Sequence, residues 1–192
     1  MFFDRYSAEL IEVMNQIPRE DIQRLAELMD KARITGKRVF VLGNGGSAAA
    51  AAHWVCDFGK GINTPNSKRM KIMSPADCTG LFSALGNDCG YEMTFCEQIR
   101  NFLESGDLVI SLSASGNSPN LLEAHRYARE IGAQTACIIG DYNGKLAELS
   151  DFVLLIGSKN YGIVEDLHII LEHSISQYLR RNNEQQELTC GG

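Results

Sequence analysis

The sequence Val39-Phe40-Val41-Leu42-Gly43-Asn44-Gly45-Gly46-Ser47 joins a short apolar segment to a glycine-rich loop, and an alanine run follows it. A continuous apolar run is typical of a strand that is buried on both faces. Glycines let the backbone turn sharply, and a helix that starts there presents free N–H groups and the positive end of its dipole. The stretch therefore predicts a strand, a loop and a helix. A phosphate is the simplest ligand of such a loop, and a plain structural turn is the alternative.

The loop matches neither common nucleotide motif. No Lys-Ser or Lys-Thr pair follows it, as a Walker loop requires, and the third glycine of the dinucleotide fingerprint is missing. These differences argue against a kinase and against a dehydrogenase.

Outward from this stretch, short apolar runs alternate with helical patterns. Further strands are predicted at 70–73, 108–112, 135–139 and 152–156, and helices near 48–60, 91–104, 119–131, 143–149 and 162–181. This alternation predicts a three-layer α/β/α sandwich with a central parallel sheet of about five strands, as in flavodoxin-like folds. We expect one domain with three parts: N-terminal helices suited to oligomerisation at 1–36, the main body at 37–181, and a disordered polar tail at 182–192.

Composition narrows the class of protein. Acidic residues outnumber basic residues by 24 to 18 among 192, which argues against a general attraction to nucleic acid or to anionic membranes. No apolar stretch reaches the roughly 20 residues that span a bilayer, and the N-terminus does not resemble a secretory signal. We therefore expect a cytoplasmic protein with no nucleic-acid or membrane partner.

A second loop, Ser113-Ala114-Ser115-Gly116-Asn117-Ser118, follows the predicted strand at 108–112. Ser118 or Asn117 could cap the next helix, but capping accounts for only one polar side chain. The remaining hydroxyls are donors that suit phosphate oxygens or sugar hydroxyls. Because both loops would open at the carboxyl edge of a parallel sheet, where ligands bind in such folds, the pair predicts a phosphorylated sugar or polyol as the ligand.

Histidines and carboxylates concentrate on two helices. His53 and Asp57 are four residues apart and share a helix face, which suits a metal ion or a proton-transfer pair, although a surface hydrogen bond is the alternative. The last helix carries Glu165 and His173 near one face, together with His168. A charged, solvated helix face is the expectation for Asp166 and Glu172.

The two loops, the helices before the first strand, Gly86-Asn87-Asp88, and the histidines of the last helix together resemble sugar isomerase (SIS) domains, specifically the phosphoheptose isomerase group. The resemblance covers about residues 1–181. It implies an aldose–ketose isomerase that converts sedoheptulose 7-phosphate into D-glycero-D-manno-heptose 7-phosphate through an enediol, for a surface polysaccharide or glycolipid. Two alternatives stay open: the same chemistry on another sugar phosphate, and a non-catalytic SIS protein such as a replication-initiator partner.

The resemblance also implies roles for individual residues. Asp57 and His173 would be the catalytic base and acid, and one zinc ion per subunit would be held by His53, Asp57, Glu165 and His173. Family members form homotetramers with active sites between subunits. The residues that would contact the substrate are Asn44, Gly45, Gly46, Ser47, Asn87, Asp88, Ser113, Ala114, Ser115, Ser118 and Glu165.

Three positions depart from the family pattern. Aspartate stands at 57 where the family has glutamate, which shortens the reach of the carboxylate by about one carbon–carbon bond, ~1.5 Å. Glutamate stands at 165 in place of glutamine, and Gly162 stands in place of an aspartate that contacts the substrate. The first two changes together would give a divalent metal two carboxylates and two imidazoles.

Overall fold

Five parallel strands form one sheet in the computed structural model, which describes residues 1–190. The strands are β1 (Arg38–Leu42), β2 (Lys71–Met73), β3 (Leu108–Ser113), β4 (Gln134–Gly140) and β5 (Phe152–Ile156), in the order β2-β1-β3-β4-β5. Val39 of β1 pairs with Leu108 of β3, and Leu108 pairs in turn with Gln134 of β4. Strand β2 lies on one side of β1, whereas β3 and the later strands lie on its other side. The loops that follow β1 and β3 therefore open beside each other.

Seven α-helices cover the two faces of the sheet in the described residues. They are α1 (Phe2–Gln16), α2 (Arg19–Thr35), α3 (Gly46–Cys56), α4 (Thr79–Asp88), α5 (Thr94–Ile99), α6 (Pro119–Ile131) and α7 (Tyr161–Cys190). Alternate residues of β1 enter opposite layers. Val39 and Val41 pack with α1, α2, α3 and α7, whereas Phe40 and Leu42 pack with α5 and α6. This arrangement confirms the predicted α/β/α sandwich.

Several local predictions differ from the structure. Helix α4 was not predicted. The helix expected at 91–104 is a short 3-10 turn followed by α5, and the one expected at 143–149 is a 3-10 turn at Lys145–Leu149. None of the helices within residues 1–190 has the length and apolar composition that crossing a membrane requires.

The predicted disordered tail is helical as far as Cys190, so the prediction is wrong over 182–190. The cause is packing against the loop that follows α3. The buried Asn183 amide donates to the Ile62 carbonyl at 2.8 Å, and Glu187 accepts from the Asn66 N–H at 2.8 Å. Gly191 and Gly192, also part of that predicted tail, lie outside the described residues.

Candidate active site

The loops after β1 and β3 are tied together by a pair of asparagines. The Asn44 amide donates to Asn120 Oδ1 at 2.9 Å, and the Asn120 amide donates back to Asn44 Oδ1 at 2.9 Å. The Tyr91 hydroxyl also donates to Asn44 Oδ1, at 2.8 Å. Because Asn120 is fully buried, it fixes the orientation of the partly exposed Asn44. Asn120 lies two residues beyond the serine-rich loop, and sequence reasoning assigned it no role.

The carboxylate of Glu165, a residue of α7, lies against the glycine-rich loop. Gly45 has a φ of 54°, a left-handed conformation that favours glycine. A Cβ added to Gly46 would lie only 2.4 Å from Glu165 Oε2, so a side chain at this position would displace the Glu165 carboxylate. The Ser47 hydroxyl lies 3.5 Å from Glu165 Oε1. Glu165 therefore places an anion at the start of α3, the position at which the sequence predicts a phosphate.

The serine-rich loop is held in shape by its own hydroxyls. Ser113 Oγ accepts the Gly116 N–H at 3.0 Å, and Ser115 Oγ accepts the Asn117 N–H at 3.3 Å. Each hydroxyl that accepts still has its own proton to donate to a ligand. The Ala114 carbonyl accepts from the Gly140 N–H at 3.0 Å, which anchors the loop to the end of β4.

Ser118 is the N-cap residue of α6, but no side chain within residues 1–190 caps that helix. Asn117, the other candidate cap, instead donates to the Ser115 carbonyl at 3.0 Å and accepts from the Lys145 N–H at 3.1 Å. The Ser118 hydroxyl makes no hydrogen bond within residues 1–190, whereas the Leu121 N–H already donates to the Ser118 carbonyl at 3.1 Å. A free hydroxyl beside the positive end of a helix dipole suits an anion.

Four potential metal ligands meet between α3 and α7. His53, Asp57, Glu172 and His173 each offer one ligand atom, and these atoms all lie within 4.8 Å of one another. His53 Nε2 is 4.0 Å from one Asp57 oxygen, and His173 Nε2 is 4.0 Å from the other. The two imidazole rings stand edge to face with centroids 4.9 Å apart. All four residues belong to one chain, so a single subunit supplies the cluster.

Glu172 is the residue in this cluster that sequence reasoning assigned to a solvated face, and that assignment is wrong. Its side chain is 0% exposed, and neither carboxylate oxygen has a hydrogen-bond partner among the described residues. His173 Nε2 lies 3.4 Å from Glu172 Oε2. Burial, followed by the negative charge of Asp57, raises the pKa of Glu172 to about 8. Asp166 is exposed, as expected, and accepts a hydrogen bond from the Tyr6 hydroxyl at 2.7 Å.

Buried contacts between α3 and α7 set the positions of the two imidazoles. The Trp54 indole N–H donates to the His168 carbonyl at 3.1 Å, and His168 Nε2 donates to the Ile138 carbonyl at 3.1 Å. Burial lowers the pKa of His168 to about 4, so this histidine is neutral. His168 therefore has a structural position rather than a place in the cluster.

A π-helical turn at Asp57–Gly61 follows α3 directly, and Asp57 is its first residue. Turns of this type are rare and are found frequently at functional sites. No feature of the sequence indicates it.

Two groups of predicted residues lie elsewhere. Glu165 is not in the cluster, because its carboxylate lies against Gly46 and Ser47. Asn87 and Asp88 are the last residues of α4, and the Asn87 amide donates to Asp88 Oδ1 at 2.7 Å. Both are exposed, and within residues 1–190 neither is hydrogen-bonded to the two loops or to the cluster.

Comparison with known proteins gives a consistent set of relatives. A family model described as SIS domain matches residues 2–140. The phosphoheptose isomerase of Aliarcobacter butzleri is 33% identical over 172 residues, which cover 90% of this chain and 88% of that one. The phosphoheptose isomerase of Akkermansia muciniphila is 30% identical over a region that covers 84% of this chain and 85% of that one. The solved structure of phosphoheptose isomerase GmhA from Neisseria gonorrhoeae has a TM-score of 0.82 at 26% identity, covering 93% of this chain and 98% of that chain.

Proposed function

The chain belongs to the SIS domain family and, within it, to the phosphoheptose isomerases, and from this premise we propose that it converts sedoheptulose 7-phosphate into D-glycero-D-manno-heptose 7-phosphate. The product would enter heptose synthesis for a surface polysaccharide or glycolipid. The observation that carries the proposal is the meeting of His53, Asp57 and His173 between α3 and α7. This cluster combines a carboxylate base with imidazoles that can exchange protons with substrate oxygens.

Asp57 is the base. Its carboxylate is 31% exposed, so a substrate can reach it. It removes a proton from C1 of the ketose, and the resulting enediol accepts a proton at C2 to give the aldose. His173 moves the second proton: it supplies one to the oxygen on C2 and accepts the one that leaves the oxygen on C1. Proton transfer by positioned groups contributes about 100- to 10,000-fold in rate.

The cluster also fits a divalent metal, and we propose zinc, one ion per subunit. Two imidazoles and two carboxylates are ligands that zinc accepts, and the unpartnered buried oxygens of Glu172 need a compensating positive charge. His53, Asp57 and His173 would hold the ion. When bound, zinc would polarise the substrate's oxygens and stabilise negative charge on the enediol.

The phosphate of the substrate binds the serine-rich loop in this proposal. Ser113, Ser115 and Ser118 supply hydroxyl donors, and α6, a helix of 13 residues, supplies the positive end of its dipole. Asn44 and Ser47 contact the sugar hydroxyls between the phosphate and the cluster. Ser47 and His53 are separated by about 9 Å along α3, at 1.5 Å per residue. The six carbon–carbon bonds of an extended seven-carbon chain advance roughly 7.5 Å, and the ester linkage to the phosphate supplies the remaining length.

We further propose that the enzyme is a cytoplasmic homotetramer. Apolar side chains of α1 support the assembly, since Phe2, Phe3 and Ile11 are 81%, 74% and 54% exposed. Exposed apolar groups that cluster on one element mark contact surfaces between proteins. Light scattering of the purified protein measures the assembly, and a monomer would contradict it.

The test of the proposed reaction is turnover of sedoheptulose 7-phosphate followed by NMR. The wild type, Asp57→Asn and the control Asp166→Asn are compared, because Asp166 is an exposed aspartate outside the cluster. We expect conversion by the wild type and the control and a loss of at least 100-fold for Asp57→Asn. An assembled, metal-loaded wild type that converts another ketose phosphate but not this one would overturn the substrate assignment. Binding without any conversion would favour a non-catalytic role.

A further inference from the structure

The carboxylates of two glutamates of α7 lie where the family pattern does not lead one to expect them. The pattern assigns position 165 to the metal and gives no role to position 172. In the structure the Glu165 carboxylate lies against Gly46, at the start of α3. The Glu172 carboxylate lies with the two imidazoles and Asp57.

The surroundings of Glu172 point to a bound cation. An isolated carboxylate that is removed from water costs several kcal/mol unless it is paired. Glu172 is fully buried, neither of its oxygens accepts a hydrogen bond from the part of the chain that the structure describes, and the negative charge of Asp57 repels it. A divalent cation bound between the four side chains would neutralise both carboxylates.

The spacing of the four groups agrees with a common ion. Zinc binds nitrogen and oxygen at about 2.0–2.2 Å in a tetrahedral site, so neighbouring ligand atoms are about 3.4 Å apart. The His173–Glu172 separation is 3.4 Å, and the two imidazole–Asp57 separations are 4.0 Å. Small side-chain rotations would close the difference.

We propose that Glu172 is the fourth protein ligand of a divalent metal ion held by His53, Asp57 and His173, and that Glu165 is not a ligand. This inference deepens the proposed function by identifying the metal centre of the same site. Glu172 compensates for the short aspartate at 57, since its own longer side chain brings a second carboxylate to the ion from the other helix. Glu165 remains at the glycine-rich loop, where the start of α3 stabilises its charge.

The experiment is a zinc titration of the metal-free protein in competition with a chromophoric chelator. It compares wild type, Glu172→Gln, Glu172→Leu and the matched control Glu165→Gln. Loss of residues that merely support a ligand weakens metal binding by about 10- to 100-fold, so loss of a ligand should reach at least the upper value. We expect one zinc per wild-type chain, affinity about 100-fold weaker for Glu172→Leu and at least 10-fold weaker for Glu172→Gln. The control should stay within about threefold.

A second readout reports coordination directly. Cobalt(II) replaces zinc, and its visible absorption depends on the number and type of ligands. We expect the spectrum of Glu165→Gln to match that of the wild type and the spectra of both Glu172 variants to differ. Circular dichroism checks that each variant is folded. Leucine suits a buried apolar position and glutamine keeps the shape of glutamate, so if one variant does not fold, the other still gives the comparison.

The proposal is overturned if the wild type binds no zinc, if both Glu172 variants bind it as tightly as the wild type, or if Glu165→Gln loses as much affinity as Glu172→Leu. The titration uses no substrate. A protein that binds zinc through Glu172 but does not convert sedoheptulose 7-phosphate would therefore contradict the proposed reaction and leave the metal centre established.

Discussion

Replacing Glu172 with glutamine should change how the stability of the metal-free protein depends on pH. The pKa of Glu172 is about 8 in the folded chain, compared with 4.5 for a free glutamate. The folded state therefore binds this proton more tightly than the unfolded state does. The stability that the protonated carboxyl contributes is fully present below pH 4.5 and is lost as the pH rises through 8.

The size of the effect follows from the two pKa values. Each tenfold difference in proton affinity corresponds to about 1.4 kcal/mol. The change in pKa from 4.5 to about 8 therefore limits the pH-dependent loss in free energy of unfolding to about 5 kcal/mol. Water that enters beside the half-exposed His53 and His173 screens the repulsion from Asp57. We therefore expect the free energy of unfolding of the wild type to fall by an amount on the order of 3 kcal/mol as the pH rises.

The assay is denaturant unfolding at a series of pH values from about 5 to 8.5 at one protein concentration, with a chelator present to keep the protein metal-free. The free energy of unfolding of Glu172→Gln minus that of the wild type should rise by about 3 kcal/mol over this range. Glu172→Leu should show the same pH-dependent rise, because it also lacks the carboxyl group. A difference that stays constant with pH would refute the reasoning that Glu172 is buried without a partner.

Three further substitutions test separate parts of the structure. Ser118→Ala should weaken competitive inhibition by inorganic phosphate about 10- to 100-fold, the value of one hydrogen bond to a charged group; unchanged inhibition would remove Ser118 from the phosphate site. Asn120→Ala should lower the free energy of unfolding by about 1–3 kcal/mol, because it leaves Asn44 without its reciprocal partner; an unchanged denaturation midpoint would contradict that pairing. Gly162→Ala would place a Cβ 2.8 Å from the Tyr6 hydroxyl and should cost about 1 kcal/mol by breaking the bond to Asp166, measured by the same unfolding assay. A neutral or stabilising change would show that Tyr6 moves without loss.

The sheet could be predicted because burial on both faces produces continuous apolar runs. All five predicted strands are present, and the loops after β1 and β3 open at the same edge. Helix α4 was missed for the opposite reason. None of its residues is buried, and Gly80 and Gly86 are poor helix formers, so the sequence at Thr79–Asp88 carries only a weak helical signal. The helical end of α7 depends on contacts with residues 62–66, which are distant in sequence and leave no local signal.

The site was predicted in part. The four-residue spacing of His53 and Asp57 indicated a shared helix face, and the structure brings His173 to the same place. Glu172 could not be recognised, because the same acidic residue on an exposed helix would be ordinary. Its burial depends on how α7 packs against α3 and on the π-helical turn at Asp57. The ligand role of Glu165 came from the family pattern and remains a prediction that the position of its carboxylate does not favour.

The central claim is that Asp57 carries out isomerisation by removing a proton to form an enediol. Turnover of sedoheptulose 7-phosphate in D2O, with the product analysed by NMR, tests it most directly. Because the Asp57 carboxylate is 31% exposed, its proton should exchange with solvent during the reaction. The account predicts deuterium at C2 of the heptose product and loss of turnover in Asp57→Asn. Transfer of the C1 hydrogen to C2 without exchange, or full activity of Asp57→Asn, would contradict it.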